Sequence, residues 1–364
     1  MKFVIQRSEL IKGLQLIQSI ITSHTTLPIL YNVLLTAEKD KITLFATDLS
    51  VSMKCSLPAT VSKTGSSSFN AKMLFSIARE LPQESADFQL EDKNRAIIQC
   101  GQSSYKLMGI SAEDFPVVSP FKTENSFTMD QAVLKDMLQK TTYAASDDES
   151  RLILNGVFMS VKGQKIIIVA TDGRRLALVE KEVELPDDQK TDFVIPAKTI
   201  NELIKALKDE GQVKISLTKN MALFELENCD IISKLIEGVY PNYQQVIPGQ
   251  CDERITVERE ALLGALRRTA IVSNERNPSV KLNISKNQIQ IVASNNDVGE
   301  ATEQIPVKYP GKSISMTFNP NYLMDPLKYL SSDDIAIEFT DELSPVVVKS
   351  NVPFIYVLMP LRIG

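Results

Sequence analysis

The sequence predicts an α+β fold of three similar domains, each holding two copies of a strand–helix–strands unit. The first observation is an internal repeat. Ile42-Thr-Leu-Phe-Ala-Thr47-Asp48 recurs as Ile166-Ile-Ile-Val-Ala-Thr171-Asp172 and, more loosely, as Ile289-Gln-Ile-Val-Ala-Ser294-Asn295, at offsets of 124 and 123 residues. The second is helical spacing of apolar residues, as in Ile200, Leu203, Ile204 and Leu207. The third is alternation in stretches such as Lys165–Ala170, Val213–Leu217 and Ala222–Leu226, which reads as strands.

Two further series recur at similar offsets: Asn70-Ala-Lys72, Pro196-Ala-Lys198 and Pro320-Asn-Tyr322, then Tyr105-Lys-Leu-Met, Ser233-Lys-Leu-Ile and Tyr356-Val-Leu-Met. The segments Lys122-Thr-Glu-Asn and Pro248-Gly-Gln read as linkers, so the domains are placed at 1–125, 126–251 and 252–364. Helices are expected over 8–22, 70–81, 129–145, 196–208, 258–272 and 319–330, each after a short strand. Ser8 and Asn319 suit N-cap positions, and Pro196 and Pro320 suit first-turn positions.

Composition narrows the chemistry. A chain of 364 residues that is 43% hydrophobic and 23% charged builds packed cores and is not disordered. No apolar run approaches the ~18 residues of a membrane span, and Met1-Lys2-Phe3-Val4-Ile5-Gln6-Arg7 turns polar too soon for a signal peptide. Cys55, Cys100, Cys229 and Cys251 form no CxxC pair, so a cytosolic protein with reduced thiols is expected, without a zinc site or disulfide framework. With one histidine, His24, a histidine metal cluster is impossible and a Ser-His-Asp triad would have to use that residue. No GxxxxGK[ST] or GxGxxG string occurs. No catalytic residue, metal or cofactor is assigned.

Charge is unevenly placed. The chain carries −5, yet the six helical segments hold twelve basic side chains against eight acidic ones, a net of +4 that leaves −9 elsewhere. Lys72 and Arg79, like Lys198 and Lys205, stand seven apart and share a helix face. Such a face suits regularly spaced phosphates; it equally suits ordinary solvation. Helices ~10 Å apart in a closed ring leave a bore near ~9 Å for six and ~28 Å for twelve. A duplex roughly 20 Å wide passes only the second, which needs two chains joined head to tail, and that closure also covers terminal sheet edges.

At Ala170-Thr-Asp172-Gly173-Arg174-Arg175-Leu176-Ala177 and Met359-Pro360-Leu361-Arg362 the chain resembles the bacterial DNA polymerase III beta subunit, the sliding-clamp family. The likeness runs from Met1-Lys2-Phe3 through Thr26-Leu-Pro-Ile-Leu30, Ala46-Thr-Asp48, Leu154-Asn155-Gly156 and Ser233-Lys-Leu to the C-terminus. It implies a cytoplasmic, nucleoid-associated and non-enzymatic processivity factor, with no membrane partner. This factor is a homodimeric ring around double-stranded DNA, sequence-independent, that tethers the replicative DNA polymerase. An ATP-dependent clamp loader opens the ring, and other clamp-binding-motif proteins dock in a pocket between the second and third domains. The resemblance carries that pocket to Leu154, Thr171, Gly173, Arg174, Arg175 and Leu176, to Pro241 and Val246, and to Val357, Leu358, Met359, Pro360, Leu361 and Arg362. Leu, Val and Met make an adaptable apolar concavity, although Val357–Leu361 equally reads as a buried terminal strand. Arg174 stands where the family often has His, and Gln245 where Arg is common.

DNA-facing positions are expected at Lys12, His24, Lys72, Arg79, Lys135, Lys198, Lys205 and Arg267, and the dimer contact at Tyr105, Ile271, Val272, Glu300 and Glu303. Two rival readings stay open. Asp147-Asp148-Glu149 with Asp48 and Asp172 would serve a carboxylate- or metal-dependent nucleic-acid enzyme, though adjacent carboxylates mostly mark solvated loops and the Thr-Asp pairs suit turns. A protein-interaction scaffold without DNA is the other.

Overall fold

A computed structural model describes residues 1–21, 27–116, 121, 123, 125–148, 150–184, 190–274 and 276–362. His24, Lys122 and Glu149 lie outside them. In the first third the elements run β1 (Lys2–Gln6), α1 (Arg7–Gln18), β2 (Asn32–Glu38), β3 (Lys41–Thr47), β4 (Val51–Pro58), β5 (Thr60–Lys63), β6 (Gly65–Asn70), α2 (Ala71–Glu80), β7 (Ser85–Leu90), β8 (Arg95–Cys100) and β9 (Ser103–Met108). The second third follows as β10 (Asn125–Asp130), α3 (Gln131–Gln139), β11 (Gly156–Lys162), β12 (Lys165–Thr171), β13 (Arg175–Glu182), β14 (Lys190–Pro196), α4 (Ala197–Ala206), β15 (Gln212–Leu217), β16 (Met221–Glu225) and β17 (Cys229–Lys234). The last third is β18 (Glu253–Glu258), α5 (Arg259–Ala270), β19 (Val280–Ser285), β20 (Gln288–Asn295), β21 (Gly299–Pro306), β22 (Ile314–Phe318), α6 (Pro320–Tyr329), β23 (Asp334–Phe339), β24 (Val346–Lys349) and β25 (Phe354–Leu358). One strand, one helix and three strands repeat six times, with β5 the one addition among the described residues.

Each helix follows its strand without a turn, and the reason is tertiary. The strand before each helix pairs with the other repeat of its own third: β1 with β7, β6 with β2, β10 with β15, β14 with β11, β18 with β23 and β22 with β19, all antiparallel. In four cases the ladder continues one residue into the helix. Arg7 N donates to Glu84 O (2.6 Å), Gln131 N to Gly211 O (2.9 Å), Ala197 N to Asn155 O (3.1 Å) and Arg259 N to Asp333 O (2.8 Å). A helix leaves its first N–H groups without internal partners, and here a neighbouring carbonyl takes one of them. Side-chain caps serve the other two helices, where Asn70 accepts from Met73 N and Asn319 from Asn321 N.

The expectation for Asn319 and Pro320 therefore holds, while two others are corrected. Ser8 lies inside α1, whose N-cap position is Gln6 with no side-chain cap, and Pro196 is the last residue of β14. The helix expected over 129–145 ends at Gln139, followed by a 3-10 turn at Thr142–Ala144. There Thr141 and Thr142 hydroxyls bond back to the Met137 and Leu138 carbonyls, a local competition that ends helices.

Two compact units result, one of residues 1–135 and 198–235, the other of 136–197 and 236–364. The first holds the sheets β5-β1-β7-β8-β9 and β10-β15-β16-β17-β4-β3-β2-β6. The second holds β14-β11-β12-β13-β25-β24-β23-β18 and β21-β20-β19-β22. In the first unit α1 and α2 pack on each other, as α5 and α6 do in the second. Each eight-stranded sheet joins two four-stranded halves through the last strands of two repeats: β17 with β4 from Cys229↔Cys55 to Ser233↔Val51, and β13 with β25 from Arg175↔Leu358 to Val179↔Phe354.

One contact ties α6 to its sheet. Pro326 sits inside α6 and has no N–H for the Tyr322 carbonyl one turn back. The hydroxyl of Tyr356, wholly buried on β25, donates to that carbonyl at 2.7 Å. Replacing Tyr356 by Phe keeps the ring and strands the carbonyl, so Tyr356→Phe is expected to lower stability by about 1–2 kcal/mol, read as a lower urea midpoint with unchanged circular dichroism.

Candidate functional site

The second unit carries a cleft of about 410 Å³ lined by Thr171, Gly173, Arg174, Arg175, Leu176, Gln245, Val246, Ile247, Pro248, Pro345, Val357 and Met359. Beneath it lies a core of Val169, Leu176, Leu178, Val194, Tyr240 and Val357. One wall is the turn between β12 and β13, held by its own side chains. The carboxylate of Asp172 accepts from Arg174 N (2.8 Å) and Arg175 N (3.0 Å), and Thr171 Oγ1 accepts from Gly173 N (3.1 Å) while donating to Arg175 O (2.6 Å). Gly173 takes φ +85°, which a residue without Cβ adopts freely.

The repeated Thr-Asp motif is thus explained. Asp48 accepts from Ser50 N (2.8 Å) and Val51 N (2.7 Å), and Thr47 Oγ1 accepts from Leu49 N (3.0 Å). At the third copy Asn295 accepts from Asp297 N (3.0 Å). All three are the hairpin turns that Asp and Asn close locally. Both carboxylates are also held on the far oxygen, Asp48 by Lys198 and Asp172 by Arg175 Nε at 3.1 Å. Hydrogen bonds from Lys198 and the turn amides outweigh the effect of burial and hold the Asp48 carboxyl below the usual carboxylate range. These groups are occupied in building turns, and no three His, Cys, Asp or Glu side chains among the described residues converge on a metal-sized space.

Arg175 works below the cleft surface. Its guanidinium reaches Asp172 (3.1 Å), Asp325 on α6 (2.6 Å) and the Tyr143 carbonyl, and lies 4.1 Å from the centroid of the Tyr322 ring. Paired and hydrogen-bonded, a guanidinium tolerates this depth and fixes the turn against α6. Arg174 is exposed and lines both this cleft and a second one of about 340 Å³, together with Arg276, Asn277, Pro278, Asn319, Tyr322, Met359, Pro360, Leu361 and Arg362. Backbone bonds from Met359 N to Arg174 O (3.0 Å) and from Leu361 N to Thr317 O (2.7 Å) hold the C-terminal segment there.

Of the pocket residues expected from the sequence, Thr171, Gly173, Arg174, Arg175, Leu176, Val246, Val357 and Met359 line the first cleft, and Pro360, Leu361 and Arg362 the second. Leu358 is corrected: the alternating pleat of β25 turns its side chain into the core, where it is wholly buried. Leu154 and Pro241 line neither cleft. Ile247, Pro248 and Pro345 were not anticipated, nor were Arg276, Asn277, Pro278, Asn319 and Tyr322. Apolar runs around Val246 and Val346 were the available signal, and they look the same in any core. Around the clefts, Val246 is 53% exposed and Met359 and Leu361 are each 38% exposed, an apolar rim of the kind that marks interaction sites.

The basic helix residues are less free than their count implies. Lys12 pairs with Glu9 (2.9 Å), Lys135 with Asp209 (2.7 Å), Lys205 with Glu202 (2.8 Å) and Lys198 with Asp48. Arg79 lies 5.9 Å from the Phe75 ring centroid. Lys72 and Arg267 are exposed and carry no ion pair among the described residues. Of the dimer candidates, Tyr105 is half-buried on β9, Glu300 and Glu303 are on β21, and Ile271, 80% exposed, and Val272 follow α5. The expectation that Glu303 seeks a partner's base meets a correction: Arg268 of the same chain holds it with two bonds, 2.7 and 2.8 Å, because α5 and β21 pack together.

Family models described as DNA polymerase III beta subunit match in order: the N-terminal domain over residues 1–119, the central domain over 128–242 and the C-terminal domain over 244–362. The beta sliding clamp of Chlamydia muridarum is 31% identical over 363 residues, covering 100% of this chain and 99% of that protein. The crystal structure of a sliding clamp (DNA polymerase III subunit beta) from Bartonella birtlesii bound to griselimycin superposes with a TM-score of 0.94 at 33% identity. The corresponding structure from Pseudomonas aeruginosa gives 0.93 at 31%, and both cover 100% of each chain. The chain belongs to the DNA polymerase III beta subunit family, the beta sliding clamps.

Proposed function

We propose that two copies of this chain join head to tail into a ring that encircles double-stranded DNA and tethers the replicative polymerase. The observation that carries this reading is the accounting of third strands. Six strands stand third after a helix: β4 pairs with β17 and β13 with β25, while β9 and β21 are left at sheet ends without a partner among the described residues. Setting β9 against β21 of a second copy, antiparallel, completes the strand order already seen twice in this chain. Exposed edges invite such pairing, and charge favours this one: β9 offers Lys106 while β21 offers Glu300. Tyr105, Ile271 and Val272 then supply the apolar contact. The domains 1–125, 126–251 and 252–364 each hold two repeats, and the joints between them run along β4–β17 and β13–β25.

In this reading the protein catalyses nothing, and closure rather than affinity keeps it on DNA. Local ion pairing of Lys12, Lys135, Lys198 and Lys205 lowers the pull on phosphates, so the ring slides, with Lys72, Arg79 and Arg267 as sequence-independent contacts. The apolar clefts at Val246, Met359 and Leu361 take client peptides of the polymerase, the ATP-dependent loader and other proteins with the same docking motif, in the cytoplasm at the nucleoid. No helix among the described residues is long and apolar enough to cross a membrane.

Sedimentation gives a mass near twice 40.5 kDa, and Ile271→Asp gives a monomer; loaded protein stays on nicked circular DNA and leaves on linearisation, and equal retention on both sinks the topological reading. Val246→Glu weakens binding of a short peptide rich in Gln, Leu and Phe at least about tenfold, measured by fluorescence polarisation, with the dimer intact. Lys72→Glu with Arg267→Glu lowers the slope of log affinity against log salt by about 1 per residue replaced.

A further inference from the structure

Cys55 and Cys229 face each other where β4 pairs with β17. Their sulfurs are 3.2 Å apart although the residues are separated by 174 positions. The flanking ladder bonds define the kind of pair. Ser56 N donates to Asn228 O at 2.9 Å and Lys234 N to Ser50 O at 2.9 Å, so the hydrogen-bonded pairs are 50/234 and 56/228 and their alternates. Cys55 and Cys229 fall in the other class, whose Cα atoms approach to about 4.5 Å, within the ~4.4–6.8 Å that a disulfide spans. The two side chains leave the same sheet face and meet.

The pair also has an entrance. A cleft of about 420 Å³ in the first unit is lined by both cysteines together with Lys12, Leu16, Leu57 and Lys208. A small oxidant therefore reaches sulfurs that are otherwise buried. Cys100 is placed differently: its thiol donates to the Ser85 carbonyl at 3.3 Å.

We propose that Cys55 and Cys229 are a redox-controlled disulfide site that staples the joint between the first two repeats-of-two, with a hydroperoxide as oxidant. The thiol of Cys229, the more exposed of the two, loses its proton to solvent. Its sulfur attacks the terminal peroxide oxygen; the O–O bond breaks, and water leaves when the oxidant is hydrogen peroxide. The resulting sulfenic acid is attacked by the sulfur of Cys55, which gives up its proton. The S–O bond breaks, the S–S bond forms, and a second water departs. Two electrons pass from the two sulfurs to the peroxide. The hydrogen bond with Cys55, and burial, push the Cys229 thiol up, so its attack on the peroxide is slow.

Closing a loop of this length constrains the unfolded chain strongly. The full-length protein is treated with hydrogen peroxide, denatured, alkylated with iodoacetamide and mapped by mass spectrometry without reduction. The expected result is a cross-link between the Cys55 and Cys229 peptides, two of four thiols spared from alkylation, and reversal by dithiothreitol. The unfolding temperature of the oxidised protein rises by about 5 °C. Cys100→Ser and Cys251→Ser keep the cross-link; Cys55→Ser and Cys229→Ser lose it. Four alkylated thiols after peroxide, sulfinic acid at either residue instead of a cross-link, or a cross-link joining any other pair overturns the proposal, and these readings on the unsubstituted protein depend on no variant.

Discussion

Backbone hydrogen bonding at strand edges is the constraint on which this structure rests. A four-stranded sheet from one repeat exposes a row of N–H and C=O groups along its third strand, and leaving such groups buried and unpaired is costly. The chain meets the constraint twice internally, at β4–β17 and β13–β25. Strand exchange meets it at the other side of each half, where the strand preceding one helix pairs into the sheet of the sister repeat. Because the ladder runs on into the first residue of four helices, the same bonds that complete the sheets also position the helices. Sheet pairing thus sets where the helices start, and capping side chains matter at only two of them.

The cleft beside β13 inherits its shape from this arrangement. The Thr171–Arg175 turn is rigid because its donors and acceptors are satisfied within five residues. It is then tied by Arg175 to α6, and α6 is tied through the Tyr322 carbonyl to Tyr356 on β25. A cleft built on such supports keeps its apolar rim open without collapsing. Preformed sites of this kind lose little entropy on binding a peptide.

Electrostatics follows a different logic from the count of charges. Exposed ion pairs contribute little to stability, but they alter what a polyanion meets. Lys135 is answered by Asp209 and Lys198 by Asp48, so part of the positive charge counted on the helices is matched within the chain.

Much of this was legible in the sequence where the cause is local. Helical spacing placed all six helices, although the third ends at Gln139 and not at 145, short apolar stretches placed strands such as Lys165–Thr171, and the recurring Thr-Asp pair marked two hairpin turns whose hydrogen bonds span only a few positions. Resemblance over the whole length pointed to Thr171–Leu176, in the first cleft, and to Met359–Arg362, which borders the second. Only the tertiary structure decided the rest. Which strand completes which sheet, why Arg7 and Arg259 begin helices without caps, that Pro345 and Ile247 join the cleft while Leu358 turns inward, and that Asp48 neutralises Lys198 all depend on partners far apart along the chain. Periodicity tells a residue which face it occupies and carries no information about what that face will meet.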